Sequence, residues 1–258
     1  MHSSRNNETR YYLGIDKTGW IILAATFFVA AGLMQFGLVK HIVGYLNILI
    51  HEFGHFLSRM LFGYPSIPAF DFREGGGVTS YTTRSLWIML LPLGGLIYVL
   101  YLIRGHVASV IIIVTTIVLF LLLAFTNGHD YLCIWAGHGM EVLIGGLFLY
   151  RAMSGSAVIN PMERPVYAFC GWAMLMHTAT FFFKLLTDDV EMIQYRMGKS
   201  YVENDLVKIE SMCRGLSVKL QCILFVLLCL IIPLLAFAVN LFFKRIREKG
   251  RESFDSFE

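Results

Sequence analysis

The sequence predicts an all-α, polytopic membrane protein: a helical bundle of about six to seven transmembrane segments with a short β-hairpin or re-entrant β element. Hydrophobic residues make up 57% of the 258 residues and charged residues only 15%, whereas soluble domains average about 45–50% and about 25%. The mean hydropathy is +0.64. In addition, seven apolar stretches approach the roughly 20 residues that cross about 30 Å of hydrocarbon. They are residues 19–39, 42–62, 85–103, 107–126, 131–150, 165–183 and 220–243.

Charge and cysteine content exclude several classes of protein. The net charge of +3 is small and dispersed along the chain, so we expect no nucleic-acid partner. The five cysteines are odd in number and lie mostly in apolar stretches, which indicates buried thiols and not a disulfide framework. The basic C-terminal tail, residues 244–258, should be cytoplasmic by the positive-inside rule. We therefore expect one integral membrane domain over residues 1–258, a multi-pass protein of the lipid bilayer.

Two stretches differ from the apolar runs. Residues 63–84 contain Pro65, Pro68 and three consecutive glycines among β-branched residues, which predicts the short hairpin or re-entrant β element. Residues 187–219 form the only long polar stretch and are expected to lie outside the membrane. Within this stretch an apolar residue recurs near helical spacing, which predicts a short amphipathic surface helix. The residues are Val202, Leu206, Ile209 and Cys213.

The residues that point to chemistry are His51-Glu52-Phe53-Gly54-His55, within the second apolar stretch. On a helix, positions four apart share a face, so both imidazoles can reach one zinc ion at about 2.0–2.1 Å. Glu52 between them is placed to take a proton from water as a general base.

Ionisable groups inside a membrane are costly, at about 2.5–3.5 kcal/mol each near the bilayer centre, and are usually paired and functional. Three such groups within five residues therefore favour a site over a polar helix face that lines a channel or packs on another helix.

The segment HEFGHFLSRMLFGYP resembles the active-site helix of the site-2-protease-type intramembrane zinc metalloproteases. Two further elements follow in the family's order: the Gly-rich segment AFDFREGGGVT, and a span that opens with LPLGG and is similar to the family's Gly-Pro-bearing helix. The resemblance covers residues 42–141, within a zinc-site core at about 42–150. It implies a helical membrane bundle, one Zn²⁺ per chain, and a membrane-protein substrate whose transmembrane segment is presented in extended form.

The third zinc ligand is left open by the sequence. The family uses an aspartate in Leu-Asp-Gly, and this sequence has no such tripeptide. Asp130 is the natural counterpart, because it follows an asparagine after the fourth apolar stretch. His138 would give a His₃ set and Glu141 a His₂Glu set, both of which zinc accepts; His129 is a further alternative. On one helix Asp130 and His138 lie about 12 Å apart, so they cannot bind the same ion, and the residues that do not bind are expected to orient those that do.

Four other residues are candidates for contacts with substrate. Asn47, one turn before the first histidine, and Asn127 could hydrogen-bond a substrate carbonyl or an oxyanion, although hydrogen bonding between helices is the alternative. Gly76 and Gly77 belong to the predicted hairpin, which is expected to pair with an unwound substrate as an added strand.

The function predicted from these residues is intramembrane proteolysis, with His51 and His55 as ligands and Glu52 as the general base. A catalytically silent membrane scaffold that binds substrates is one alternative, favoured by the missing Leu-Asp-Gly. A metal or proton transporter is another, but its ionisable residues would be spread along several spans and not clustered in two places. A prenyl-protein protease of the other membrane HExxH family could use Glu141, but its Glu-x-x-x-Asp context is absent.

Overall fold

The computed structural model describes residues 11–12, 14–71, 76–156, 158–198 and 203–255. Over these residues the chain is mainly helical, with two small antiparallel sheets. The described helices are α1 (Lys17–Leu33), α2 (Gly37–Leu61), α3 (Leu86–Leu102), α4 (Val107–Ala124), α5 (Gly128–Ser154), α6 (Glu163–Thr187), α7 (Asp189–Met197), α8 (Asp205–Met212) and α9 (Val218–Asp255). The strands are β1 (Tyr11–Tyr12), β2 (Ile15–Asp16), β3 (Ser66–Asp71) and β4 (Gly76–Tyr81).

Each of the seven predicted apolar stretches corresponds to a helix, namely α1 to α6 and α9. Four of these helices, α4, α5, α6 and α9, are long and apolar enough to cross a membrane. The chain bends by 110° between α1 and α2, and this bent pair provides a fifth candidate span if it is taken as one. The helix α4 has only 6% of its residues buried, as expected of a helix whose apolar surface faces lipid. The count of six to seven spans stays a prediction.

Contacts divide the chain into two compact units. The first comprises Met1–Gly44, Val142–Phe183 and Ile223–Glu258, and the second comprises Tyr45–Glu141 and Lys184–Cys222.

In the first unit a partly buried ion pair joins the start of α1 to the start of α6. The Arg164 guanidinium donates to both carboxylate oxygens of Asp16, at 3.1 and 2.7 Å, a bidentate geometry that strengthens such pairs. These hydrogen bonds lower the pKa of the Asp16 carboxyl below its usual range. Deeper in the unit, Trp172 donates from its indole nitrogen to the Leu23 carbonyl at 3.1 Å. The core around it contains Ala30, Val43 and Ala173.

In the second unit a small core holds the ends of α2 and α4 together. It consists of Phe62, Met89, Ala124 and Cys133. Arg84 donates to the carbonyls of Phe62 and Ala124, at 2.9 and 2.7 Å. A positive charge stabilises carbonyls at helix C-termini, so Arg84 connects the C-terminal ends of α2 and α4 to the segment that follows β4.

The predicted hairpin over residues 63–84 is confirmed. The helix α2 ends at Leu61, and Gly63 follows with a φ of +88°, a left-handed conformation that glycine adopts without strain. The Tyr64 amide then donates back to the Arg59 carbonyl at 2.8 Å, which turns the chain into β3. The strands pair antiparallel from Ser66 opposite Tyr81 to Asp71 opposite Gly76.

The polar stretch 187–219 contains two short helices. The predicted amphipathic helix is α8, and its Leu206 and Ile209 are fully buried, so α8 packs into the second unit; Val202 lies outside the described residues. The helix α7 was not predicted. The Asp188 side chain caps it by accepting hydrogen bonds from the amides of Val190 and Glu191.

Candidate metal centre

The centre is built where α2 and α5 run against each other. His51 and His55 share one face of α2, one turn apart. Between them, Gly54 lies so close to α5 that a Cβ there would overlap the Ala136 carbonyl oxygen. The absence of a side chain at this position therefore lets both imidazoles reach the backbone of α5.

Three side-chain atoms converge on one point in the second unit. The Nε2 atoms of His51 and His55 are 3.0 Å apart. The Oδ2 atom of Asp205, at the start of α8, lies 3.1 Å from the former and 2.9 Å from the latter. Asp205 is thus the third member of the group that the two histidines begin.

The opposite nitrogens of the two rings show which atoms carry protons. The Nδ1 atom of His51 lies 2.9 Å from Glu141 Oε1, and that of His55 lies 2.7 Å from the Cys133 carbonyl oxygen. A carboxylate and a carbonyl only accept hydrogen bonds, so we assign the protons to both Nδ1 atoms. In the neutral tautomers the two Nε2 atoms are then bare lone pairs that face each other and a carboxylate. A metal ion or a proton would satisfy such a convergence of lone pairs.

The three atoms lie close enough together to hold one metal ion, and somewhat closer than the ligands of a tetrahedral zinc ion. Ligand atoms about 2.0–2.1 Å from a tetrahedral zinc ion are about 3.3 Å apart, and the observed separations are 2.9 to 3.1 Å. Position 137 has to be a glycine for the two imidazoles to lie where they do. A Cβ at Gly137 would lie 2.5 Å from His55 Nε2 and 2.6 Å from His51 Nε2. Two imidazoles and one carboxylate are also a donor set found in catalytic zinc sites.

A second group of three residues also contains His51, and its hydrogen bonds give it a different role. Glu141 Oε1 lies 2.9 Å from the Nδ1 atoms of both His51 and His138. This group of three could also hold a metal by its spacing alone. However, one carboxylate oxygen that accepts hydrogen bonds from two ring N–H groups already has its partners. With both ring nitrogens donating, Glu141 orients His51, as carboxylates commonly do for metal-binding histidines.

Glu52 follows His51 in α2, and its buried side chain contacts the hairpin. Only 4% of its surface is exposed. The Thr79 hydroxyl donates to Glu52 Oε2 at 2.7 Å and lies 3.2 Å from the Glu52 carbonyl oxygen. A Cβ at Gly77 would overlap the Glu52 Cγ atom. The strand β4 therefore determines where this carboxylate lies.

Asp205 is held in place by the polar contacts of α8. The Gln221 side chain, fully buried, donates to the carbonyls of Leu206 and Leu216 at 2.9 and 2.8 Å. The indole of Trp135 donates to Gln221 in turn, at 3.1 Å. Burial by itself would raise the pKa of Asp205, but the neighbouring His51 and His55 imidazoles lower that pKa well below its usual range. The carboxylate is therefore ionised at neutral pH.

The structure places Asp130 elsewhere. It lies in the first turn of α5 with half of its side chain exposed, 3.4 Å from His129. The described residues group Asp205, and not Asp130, with His51 and His55.

The other predicted site residues lie in three places. His129 hydrogen-bonds the Tyr64 hydroxyl at 2.9 Å and the Thr126 carbonyl at 2.6 Å, so its role is to hold the start of α5. Asn127 is exposed in the turn before that helix, and its carbonyl accepts from the Asp130 amide. Asn47 is buried in α2. Gly76 begins β4 next to Gly77, with open space where a side chain would lie.

Comparisons of this chain with protein-family models, with curated proteins and with solved structures find no match.

Proposed function

We propose that this chain is an intramembrane zinc metalloprotease that hydrolyses a peptide bond in or near a transmembrane segment of a membrane-protein substrate. The observation that carries the proposal is the convergence of His51, His55 and Asp205, on a helix in which the buried Glu52 directly follows His51. When bound by these three residues, Zn²⁺ supplies the Lewis acidity that polarises a scissile carbonyl and makes water nucleophilic near neutral pH.

Glu52 is the general base of this proposal. It takes a proton from the attacking water as the new C–O bond forms, and gives the proton to the amine as the C–N bond breaks. Thr79 occupies Oε2 of this carboxylate, which leaves Oε1 for the proton. The burial of Glu52 excludes bulk water from this transfer.

The hairpin β3–β4 supplies the substrate site. A helical substrate segment hides its carbonyls from attack, and an unwound one in lipid leaves backbone groups unpaired at a cost of several kcal/mol each. Pairing with a strand of the enzyme satisfies those groups and fixes the register of the scissile bond.

A membrane location is part of the proposal. It is supported by the four helices that are long and apolar enough to span a bilayer, and by the sequence pattern of six to seven spans with a cytoplasmic C-terminus. One ligand, Asp205, comes from the polar stretch 187–219, which favours substrate bonds near a membrane surface.

The test is cleavage by the full chain in proteoliposomes that contain single-span reporter proteins with a glycine pair in the apolar segment. The wild type and the surface variant Glu203→Gln should cleave the reporters in the presence of zinc, and Glu52→Gln should not. Proteolysis that persists in Glu52→Gln would refute the proposal. Zinc binding without cleavage in any of the three proteins would favour the silent scaffold.

A further inference from the structure

Two residues of β4 contact the same carboxylate. Gly77 and Thr79 are two positions apart, and alternate residues of a strand point to the same face. On that face the Thr79 hydroxyl donates to Glu52 Oε2 at 2.7 Å. A Cβ at Gly77 would stand 2.7 Å from Glu52 Oε1, so both carboxylate oxygens lie against this strand. On the opposite face Val78 is exposed.

The hydrogen-bond pattern of the hairpin shows which edge of β4 is open. The Thr82 amide donates to the Pro65 carbonyl at 2.9 Å, and hydrogen-bonded pairs alternate along antiparallel strands. Thr79 is opposite Pro68 and Gly77 is opposite Phe70, so both pairs are of the type that is not hydrogen-bonded. The amides and carbonyls of Gly77 and Thr79 therefore point away from β3.

The outer edge of β3 offers fewer hydrogen-bond donors to an added strand than the outer edge of β4. Pro68 has no amide hydrogen, and at its position that hydrogen would have pointed outward. An extended peptide that adds to this hairpin thus finds an unbroken row of donors and acceptors on the β4 side. The residues it would pair with there, Gly77 and Thr79, are the two that contact Glu52.

We infer that Thr79 is a positioning residue for Glu52, and that it couples a substrate strand on the open edge of β4 to the general base. The inference rests on the proposed function. The Thr79 hydroxyl holds Oε2 and leaves Oε1 to take the proton, and a peptide that fixes the backbone of β4 fixes Glu52 with it. Substrates are then segments that unwind and carry no proline where they pair with Gly77 and Thr79.

The test compares Thr79→Val, which removes the hydroxyl and keeps the shape, with Thr79→Ser, which keeps the hydroxyl. Thr82→Val, the same exchange at an exposed position just after β4, is the matched control. For each full-length protein, kcat and KM are measured on the single-span reporter, and the zinc dissociation constant is measured by competition with a chelator. Thr79→Val should lose about tenfold in kcat, a part of the 10²–10⁴-fold that a general base contributes. KM and zinc affinity should stay within twofold of wild type, Thr79→Ser should recover most of kcat, and Thr82→Val should match the wild type.

Three results would overturn the inference while leaving the proposed function intact. The first is a wild-type kcat in Thr79→Val when Glu52→Gln is inactive. The second is a loss that Thr79→Ser does not recover. The third is a loss of zinc affinity in Thr79→Val, because the hydroxyl would then act on the metal centre. An active Glu52→Gln variant would instead remove the proposed function and this inference together. If Thr79→Val does not fold, Thr79→Ala replaces it in the same comparison with Thr79→Ser.

Discussion

The substitution Gly137→Ala tests the space at the metal centre without removing a ligand. The added methyl would lie 2.5 Å from His51 Cε1 and His55 Nε2, about 1 Å closer than carbon and nitrogen atoms normally approach. Neither ring can move freely, because hydrogen bonds to Glu141 and to the Cys133 carbonyl hold both Nδ1 atoms. We therefore expect the ligand atoms to be displaced by about 1 Å. A displacement of about 1 Å changes a geometry-dependent rate by about a hundredfold. We expect a loss of zinc affinity of the same size, which is about 3 kcal/mol of binding free energy.

The fold should tolerate this change better than the centre does. Overpacking costs about 1–3 kcal/mol of unfolding free energy, and exchange of glycine for alanine within a helix returns about 1 kcal/mol. Gly139→Ala is the matched control on the same helix, since its Cβ would meet nothing within 4 Å. It should bind zinc as the wild type does and gain up to about 1 kcal/mol of stability.

Zinc affinity of the detergent-purified proteins, measured by competition with a chromophoric chelator, decides the outcome. Thermal unfolding of the zinc-free proteins shows separately that both variants are folded. Zinc binding by Gly137→Ala within twofold of wild type would refute the assignment of the centre to the space between α2 and α5.

Three further predictions test the surroundings of the site and the fold. Glu141→Gln should weaken zinc binding about 10- to 100-fold in the same chelator assay, because it disturbs the hydrogen bond that orients His51; loss of a second equivalent of zinc would instead show that Glu141 is itself a ligand. Gln221→Leu should lower the unfolding free energy by about 1–3 kcal/mol, since buried carbonyls lose their donor, and unchanged denaturant midpoints would contradict this. The pKa of Asp16 is lowered in the folded state, so the ion pair stabilises the protein above the unfolded-state pKa of about 3.9 and is lost as the pH falls through the folded-state pKa. The unfolding free energy of Asp16→Asn should accordingly depend less on pH below about 4 than that of the wild type. The same dependence on pH in both proteins would refute this explanation.

The sequence was sufficient to predict most of the secondary structure. Apolar runs of 19 to 24 residues leave few options besides helices, because backbone groups in such surroundings must pair within the segment. The glycine run with Pro65 and Pro68 similarly predicted a break followed by a hairpin. The 110° bend between α1 and α2 was not predicted, because it depends on how the chain packs. The sequence changes character at Lys40 and His41, but these lie inside α2 and not at the bend.

The third member of the metal group was the main omission. Asp205 is separated from His55 by 150 positions and lies in the polar stretch, where an acidic residue is ordinarily solvated. The sequence carried one local signal, since Asp205 stands next to Leu206 at the start of the apolar face of α8. That face indicates burial, and a buried carboxylate needs a partner. The partner of Asp205 could be identified only from the structure, in which α8 packs into the second unit beside His51 and His55.

His138 and Glu141 show the opposite case. Their spacing of three on a helix predicted a shared face, and the structure brings both to His51. Spacing alone could not distinguish a ligand from a residue that orients a ligand. The distinction follows from the shared Oε1 atom, which already accepts hydrogen bonds from two rings.

Zinc content of the purified full-length protein tests the central claim most directly, measured by elemental analysis for the wild type, Asp205→Ala and Asp130→Ala. We predict about one zinc per chain in the wild type and in Asp130→Ala, and little or none in Asp205→Ala. Full zinc content in Asp205→Ala, together with its loss in Asp130→Ala, would contradict the assignment of His51, His55 and Asp205 as the metal centre.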